Sequence, residues 1–360
     1  MQPRRLEKKT NTLQDSLPMS GLPKLSVLDL ATVAEGSTPA EALRDSLELA
    51  NHAERLGYHR FWVAEHHNMP GIASSAPAVL IAEIASATER MRVGSGGVML
   101  PNHAPLVVAE QFGMLDALHP GRIDLGIGRA PGTDGMTAMA LRRDANPLSD
   151  DDFPQTLGEL VGFFSGTFPE GHPYGSITAV PGAGNMPEIW LLGSSGYSAQ
   201  VAGMLGWPFS FAHHFMARNT LPALKLYRDS FQPSDRLDAP EAMVAVAVIC
   251  AEDDETARFL SRAARLSMAR LRSGRPTRFP SNEEAAAYEF SPKDEAKISD
   301  LSGSAIVGGP DTVRHRLEEL AAETRADELM VTTMVYDHAD RMRSYELVAE
   351  IAEIGSFAGT

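Results

Sequence analysis

At 360 residues, with 43% hydrophobic and 22% charged side chains, the chain is long enough to bury a large core and has the composition of a globular protein. A formal net charge of −15 excludes a general nucleic-acid or acidic-membrane binder, since either needs a basic footprint. One cysteine, Cys250, excludes an internal disulfide and a cysteine-rich metal site and fits a reducing cytoplasm, and no apolar run is long enough to span a membrane.

Residues 1–22 carry Arg4, Arg5, Lys8 and Lys9, contain no hydrophobic region of the kind a signal peptide needs, and run into Pro18, Gly21 and Pro23. They read as a disordered N-terminal extension, with Met19 as an alternative start, ahead of a single domain over 23–360. Leu25–Ala31 is the first buried strand. Thr38 as N-cap, Pro39 in the first turn and Glu41 closing a capping box then open a helix. Leu43, Leu47, Ala50, Ala53 and Leu56 recur at helical spacing until Gly57 ends it. Strand Arg60–Glu65, helix Ala76–Thr88, strand Arg92–Leu100, helix Pro105–Leu118 and strand Arg122–Gly128 follow. After a long interval come strand Ile189–Leu192, helix Ser198–Leu205, strand Phe209–His213, helix Leu221–Phe231, strand Met243–Cys250 and a helix from Asp254 to about Leu271. Helix Thr312–Glu323, strand Glu328–Thr333 and helix Arg343–Ile354 complete the chain.

Strands alternating with helices in this number point to an α/β protein of the (β/α)8 TIM-barrel class, with a doubly wound open sheet as the runner-up. Two long insertions interrupt the rhythm. Residues 130–187, after strand four, hold a helix near Phe153–Phe164 and the extended His172–Val180; residues 272–304, after strand seven, hold Arg272, Arg275, Arg278 and polar helical pieces. Insertions of this length in a compact domain serve as lids or mobile segments.

The second strand ends abruptly in Glu65, His66 and His67. In α/β barrels and sheets the carboxyl end of a strand faces the ligand, so an acid and two imidazoles there are candidate site residues, although a hydrogen-bonded loop junction explains any one of them. The third strand carries Gly94, Gly96 and Gly97, which implies a bulge or a close backbone approach. The fourth ends Gly126-Ile127-Gly128-Arg129-Ala130-Pro131-Gly132, which imitates a dinucleotide fingerprint and fails it at Pro131. Arg129 is a candidate fork for a phosphate or carboxylate. Gly193-Ser194-Ser195-Gly196-Tyr197-Ser198 opens directly into a helix and lacks the Gly-Lys-Ser/Thr of a nucleotide loop, so a monophosphate is the expected anion. His213-His214 after the sixth strand repeats the His66-His67 pattern. Neighbouring residues on a strand point to opposite faces, and neither His-x-His nor His-Glu-x-x-His occurs, so no metal is assigned and a metallohydrolase is a weak alternative.

Ala64-Glu65-His66-His67, Val93-Gly94-Ser95-Gly96-Gly97-Val98-Met99-Leu100-Pro101, the run from Gly121 to Arg129, and Leu192-Gly193-Ser194-Ser195-Gly196-Tyr197-Ser198 together resemble the bacterial luciferase-like flavin monooxygenases, and most closely their single-chain, non-luminescent branch. The resemblance covers roughly residues 25–355, in matching order. It implies a barrel with FMN at its carboxyl-terminal mouth, reduced by a separate NAD(P)H-dependent flavin reductase and reacting with O2 to a C4a-(hydro)peroxide that oxygenates a small organic substrate. It implies that His66 is the catalytic histidine at the reactive edge of the isoalloxazine and that Gly96–Gly97 is a non-prolyl cis peptide supporting the ring. Gly128, Arg129 and Gly193, Ser194, Ser195, Gly196, Tyr197 and Ser198 become cofactor-binding residues, with Glu65, His67, His213 and His214 as substrate-pocket candidates. A cytoplasmic homodimer built from early helices is the family habit.

There are departures. Gly128 stands where luciferase has a reactive cysteine, and Asp151-Asp152-Phe153-Pro154-Gln155 offers no second phosphate-side arginine, a place Arg142 or Arg143 would have to fill. Light emission is not expected. A deazaflavin-dependent dehydrogenase or reductase of the same fold, and a non-catalytic flavin-binding protein, are the competing readings.

Overall fold

The computed structural model describes residues 21–130, 132–142, 152–302 and 304–355, so the expected extension at residues 1–20 lies outside the described residues. Nine strands form, all in parallel pairs: β1 (Lys24–Asp29), β2 (Arg60–Val63), β3 (Arg92–Met99), β4 (Ile123–Gly128), β5 (Glu188–Gly193), β6 (Phe209–Ala212), β7 (Ala242–Cys250), β8 (Ile306–Gly308) and β9 (Glu328–Thr332). β1 to β7 follow one another around a ring, β7 pairs with β9, and β9 pairs back onto β1 through Lys24↔Glu328 to Val27↔Val331. The result is a closed eight-stranded parallel barrel with helices outside, a TIM barrel, and the open-sheet alternative falls. β8 is outside the ring, paired with the end of β7 at Val248↔Ile306. At three residues, just after the second insertion, it was too short to stand out.

The strands were legible because helices cover them outside and side chains fill them inside, so β1, β2, β4 and β7 are buried almost throughout. Alternation sorts the two faces. Leu28, Trp62, Ala64, Trp190, Met243, Ala245 and Met330 form the inner cluster, with the Trp62 and Trp190 rings edge to face at 5.7 Å. Phe61, Val63, Val93 and Ile127 join the larger shell between strands and helices. The first helix starts as expected: Glu41 N–H donates to Thr38 Oγ1 at 3.2 Å, Thr38 N–H donates to Glu41 Oε2 at 2.7 Å, and Gly57 caps the far end at φ 92°. The last helix begins five residues earlier than its apolar spacing shows, at His338. His172–Val180 is not extended but a series of turns, closed by bonds such as Gly175 N–H to the His172 carbonyl at 3.0 Å, in a stretch where Gly171, Pro173 and Gly175 break any strand.

The amino-terminal end of the barrel is closed by charge. Arg60, 2% exposed, donates from Nε to both Glu328 oxygens at 2.9 and 3.1 Å and from Nη1 to Asp124 at 3.0 Å and Glu188 at 3.3 Å. Trp62 Nε1 donates to Asp124 at 2.8 Å, Trp190 Nε1 to Glu188 at 2.7 Å, Arg92 Nε to Asp124 at 2.9 Å, and the Ser26 hydroxyl donates to Glu328. Burial works against the Arg60 charge, yet Asp124, Glu328 and Glu188 hold its pKa well above the ordinary value; burial also pushes the Glu328 carboxyl up.

The second insertion reaches the other end. Phe279 N–H donates to the Val33 carbonyl at 2.9 Å and Glu35 N–H to the Phe279 carbonyl at 2.8 Å, and helix Pro292–Ser302 packs on the short helix His213–Met216. Among the described residues no helix is long and apolar enough to cross a membrane.

Removing the Arg60 guanidinium leaves Glu328 buried without its counter-charge and Asp124 with Arg92 alone. Arg60→Leu is expected to destabilise the barrel by about 3–5 kcal/mol, read from the denaturant midpoint at unchanged m. A midpoint equal to that of the parent protein would show that the carboxylates are held by other groups.

Candidate functional site at the carboxyl-terminal mouth

Glu65, fully buried just beyond β2, anchors the mouth. Its Oε2 accepts from Met99 N–H at 3.0 Å, its Oε1 from His67 Nε2 at 2.9 Å, and His103 Nε2 reaches the two oxygens at 2.9 and 3.0 Å. Burial alone raises a carboxyl pKa; here the bonds from His103, His67 and Met99 overcome it and hold Glu65 below its ordinary value. His103 was missed in the sequence, where it lies four residues past β3 with no acid or second histidine beside it.

His66 turns away from this cluster. Its main-chain N–H donates to the Ser74 carbonyl at 3.0 Å, and its Nδ1 lies 3.3 Å from the Gly132 carbonyl. A carbonyl only accepts, so Nδ1 carries the hydrogen and Nε2 presents a lone pair. Burial lowers the pKa of the ring. The second pair divides likewise: His213 Nδ1 meets Thr220 Oγ1 at 2.8 Å, while His214 Nδ1 donates to the Ala245 carbonyl at 3.1 Å and burial pushes His214 down to about 4.

The Gly96–Gly97 peptide is cis, and the β3–β4 register slips between Gly96 and Val98. A Cβ on Gly97 would sit 2.5 Å from the Gly126 carbonyl oxygen, so only glycine lets the strands approach this closely. Gly128 packs beneath Met99, whose sulfur would be 2.9 Å from an added Cβ.

The remaining candidates meet beside β5. Ser195 is the extended N-cap of helix Gly196–Leu205 and makes no side-chain cap bond, which leaves its hydroxyl and the first-turn N–H groups to an anion. The Arg129 guanidinium lies 4.2 Å from the Tyr197 ring centroid, stacked at the entrance to this turn. Asn219 Nδ2 donates to the Ser194 carbonyl at 3.3 Å and ties the turn to the segment after β6. Arg142 is placed elsewhere, with Nε on Asn102 Oδ1 at 3.1 Å, and Arg143 lies outside the described residues.

Among the described residues, one group has the makings of a metal site: Asp45, Glu48 and His338 bring donor atoms within 4.8 Å of one another on the outer wall. Arg341 Nη2 donates to His338 Nδ1 at 3.0 Å, which leaves the hydrogen on Nε2 and no lone pair for an ion.

A buried neutral histidine destabilises the fold in acid, because the unfolded chain takes up the proton first. The contribution of His214 is intact above its unfolded value near 6.5 and is lost as pH falls from there through about 4. The loss over that window is on the order of 2–3 kcal/mol. Urea denaturation at pH 7.5 and pH 5 should therefore show a smaller loss in His214→Asn than in the parent protein; equal losses would mean that the ring titrates normally.

The family model described as luciferase-like monooxygenase matches residues 24–328. A protein named luciferase-like monooxygenase from Escherichia coli (strain K12) is 47% identical over 328 residues, 91% of this chain and 96% of its own. Among solved structures, apo-MsnO8 superposes with a TM-score of 0.86 at 42% identity, covering 93% of this chain and 99% of its own. The oxygenating constituent of 3,6-diketocamphane monooxygenase from Pseudomonas putida, solved in complex with FMN, shares the fold at a TM-score of 0.69 and 19% identity, covering 92% and 98%. The chain belongs to the luciferase-like monooxygenase family.

Proposed function

We propose that this enzyme is the oxygenating half of an FMN-dependent two-component monooxygenase: reduced FMN, supplied by a separate NAD(P)H-dependent flavin reductase, and O2 together oxygenate a small organic molecule in the carboxyl-terminal mouth. The observation that carries it is the meeting of two functions at one barrel end, an unused anion-binding turn with Arg129 over Tyr197 and a neutral imidazole lone pair at His66. The donor set fits a monophosphate: Arg129, the Ser194 and Ser195 hydroxyls and the N–H groups of Gly196, Tyr197 and Ser198 would hold it, with Gly193 allowing the turn. The backbone at Gly96, Gly97 and Gly128 would support the ring. Bound FMN supplies the activation of oxygen, which no side chain of this protein offers. His66 Nε2 is placed to accept a hydrogen bond from the reacting group, because burial lowers the ring's pKa and favours its neutral form. His67, His213 and His214 would wall the substrate pocket, with the fully buried Glu65 holding His67 from behind.

The decisive experiment mixes the protein, loaded with anaerobically reduced FMN, with oxygen in a stopped-flow spectrometer. A transient absorbance distinct from both reduced and oxidised flavin, absent with free flavin, is the expected result; its absence despite demonstrated binding would move the assignment to a deazaflavin-dependent dehydrogenase or a non-catalytic binder. His66→Ala should keep FMN affinity and lose coupled product formation. Arg129→Ala should weaken FMN binding by about 1.5–3 kcal/mol for a lost charged hydrogen bond.

The protein as proposed is a cytoplasmic homodimer. Val79 on helix Pro77–Ala87 and Val107, Met114 and Leu118 on the adjoining helix Pro105–Leu118 are exposed, an apolar face that a second copy would cover. Sedimentation velocity should give a dimer, and Leu118→Glu a monomer; a monomeric parent protein would remove this proposal.

A further inference from the structure

We infer that His214 contacts the substrate directly from the wall opposite His66, its Nε2 accepting a hydrogen bond from an N–H or O–H group of the molecule that is oxygenated. The inference deepens the proposed function and rests on its placement of the reaction in this mouth.

Three observations carry it. In a ring of eight strands, β2 and β6 are four places apart, so the residues just past their ends face each other across the opening. Next, each ring is held in one tautomer by a main-chain carbonyl, Gly132 for His66 and Ala245 for His214, so both turn an unprotonated Nε2 away from that carbonyl. Finally, neither Nε2 has a hydrogen-bond partner among the described residues, and neither is among the side-chain atoms sealed from solvent without one. Both rings are half-buried and keep some accessible surface.

The plain alternative is a structural histidine. β6 ends at Ala212, paired with Ala245, and the His214 ring satisfies the carbonyl left over at that point. This accounts for Nδ1 and says nothing of Nε2. An acceptor without a partner among the described residues is left for a ligand group, and an occupant that buries it without supplying a donor loses affinity. The neighbours do not supply a donor: His213 is turned to Thr220, and Phe215 offers the ring a hydrocarbon contact at 5.2 Å. A substrate with a donor therefore fits, and the same molecule with that donor methylated does not, which is the strong form of discrimination that a hydrogen-bonding site can provide.

The test uses the full-length FMN-loaded protein, labelled with nitrogen-15 at histidine, and two fragment pairs as probes: N-benzylacetamide with its N-methyl derivative, and phenol with anisole. The expected result is an Nδ1–H tautomer for His214, a shift of its Nε2 resonance on adding either donor, and binding of each donor at least tenfold tighter than its methylated partner. His214→Phe should abolish the tenfold preference while leaving FMN affinity unchanged. An Nε2–H tautomer, an unmoved resonance, or equal binding within both pairs overturns the inference, whether or not the variant folds. Failure of the parent protein to bind FMN would instead strike at the cofactor reading, and the same titrations on the flavin-free protein would still decide the role of His214.

Discussion

The constraint on which the rest of the structure depends is the buried guanidinium of Arg60. A parallel barrel has two ends, and it becomes an enzyme only if one of them is closed without being chemically active. Here the amino-terminal end is plugged by side chains from six strands: Ser26 of β1, Arg60 of β2, Arg92 of β3, Asp124 of β4, Glu188 of β5 and Glu328 of β9. Each alternative closure of the ring, shifted by one residue, would turn at least one of these charges into the apolar shell between strands and helices. A buried ion network is weak evidence for stability, and its best-attested use is to fix register. That use suits a barrel whose β1–β9 seam joins parts of the chain 302 residues apart, as in the Ser26–Glu328 bond.

One strand links this plug to the chemistry. Arg60, Trp62 and Ala64 alternate into the barrel interior, so the order of residues along β2 runs from charge, through a tryptophan packed on Trp190, to a small side chain beneath the mouth. The next residues are Glu65 and His66. Glu65 does at the mouth what Asp124 does at the plug: a fully buried carboxylate collects donors from neighbouring segments and fixes them. The turn after β3 is thereby held through Met99 and His103, next to the Gly96–Gly97 bulge that sets the floor of the proposed flavin site.

How much of this was legible follows from how local each signal is. Buried strands, the Thr38–Glu41 capping box and the glycine-rich β3 announce themselves within a few residues, and all of the barrel strands were found with ends within a few positions. Strand alternation predicted that each histidine pair would point apart, and both pairs do divide, but outside any strand: His66 and His67 lie just past β2, and His213 and His214 lie in the short helix His213–Met216. The plug was not legible. Arg60, Asp124, Glu188 and Glu328 are solitary charges in four separate strands, and one such residue inside an apolar run looks like an edge or an error until the ring is closed. His103 was lost for the same reason, because its partner Glu65 is 38 residues away. β8 was missed because three residues are too few to show an apolar period, and the turns at His172–Val180 because that insertion carries none.

The five mouth histidines differ by the kind of oxygen each one faces, and His213 faces the Thr220 hydroxyl. His67 and His103 face the Glu65 carboxylate, to which each must donate through Nε2, so their rings serve to hold that acid and the loops bearing them. His66 and His214 face carbonyls, to which each donates through Nδ1, so the lone pair is what remains for a ligand. Sequence alone gives four similar rings at strand ends. The sorting arises because the chain just past β2 turns His67 back onto Glu65 and sends His66 to the Gly132 carbonyl. In physical terms the His-His pairs are not chelators but forks, in which one ring is committed to the scaffold and the other is left with an acceptor at the opening of the barrel.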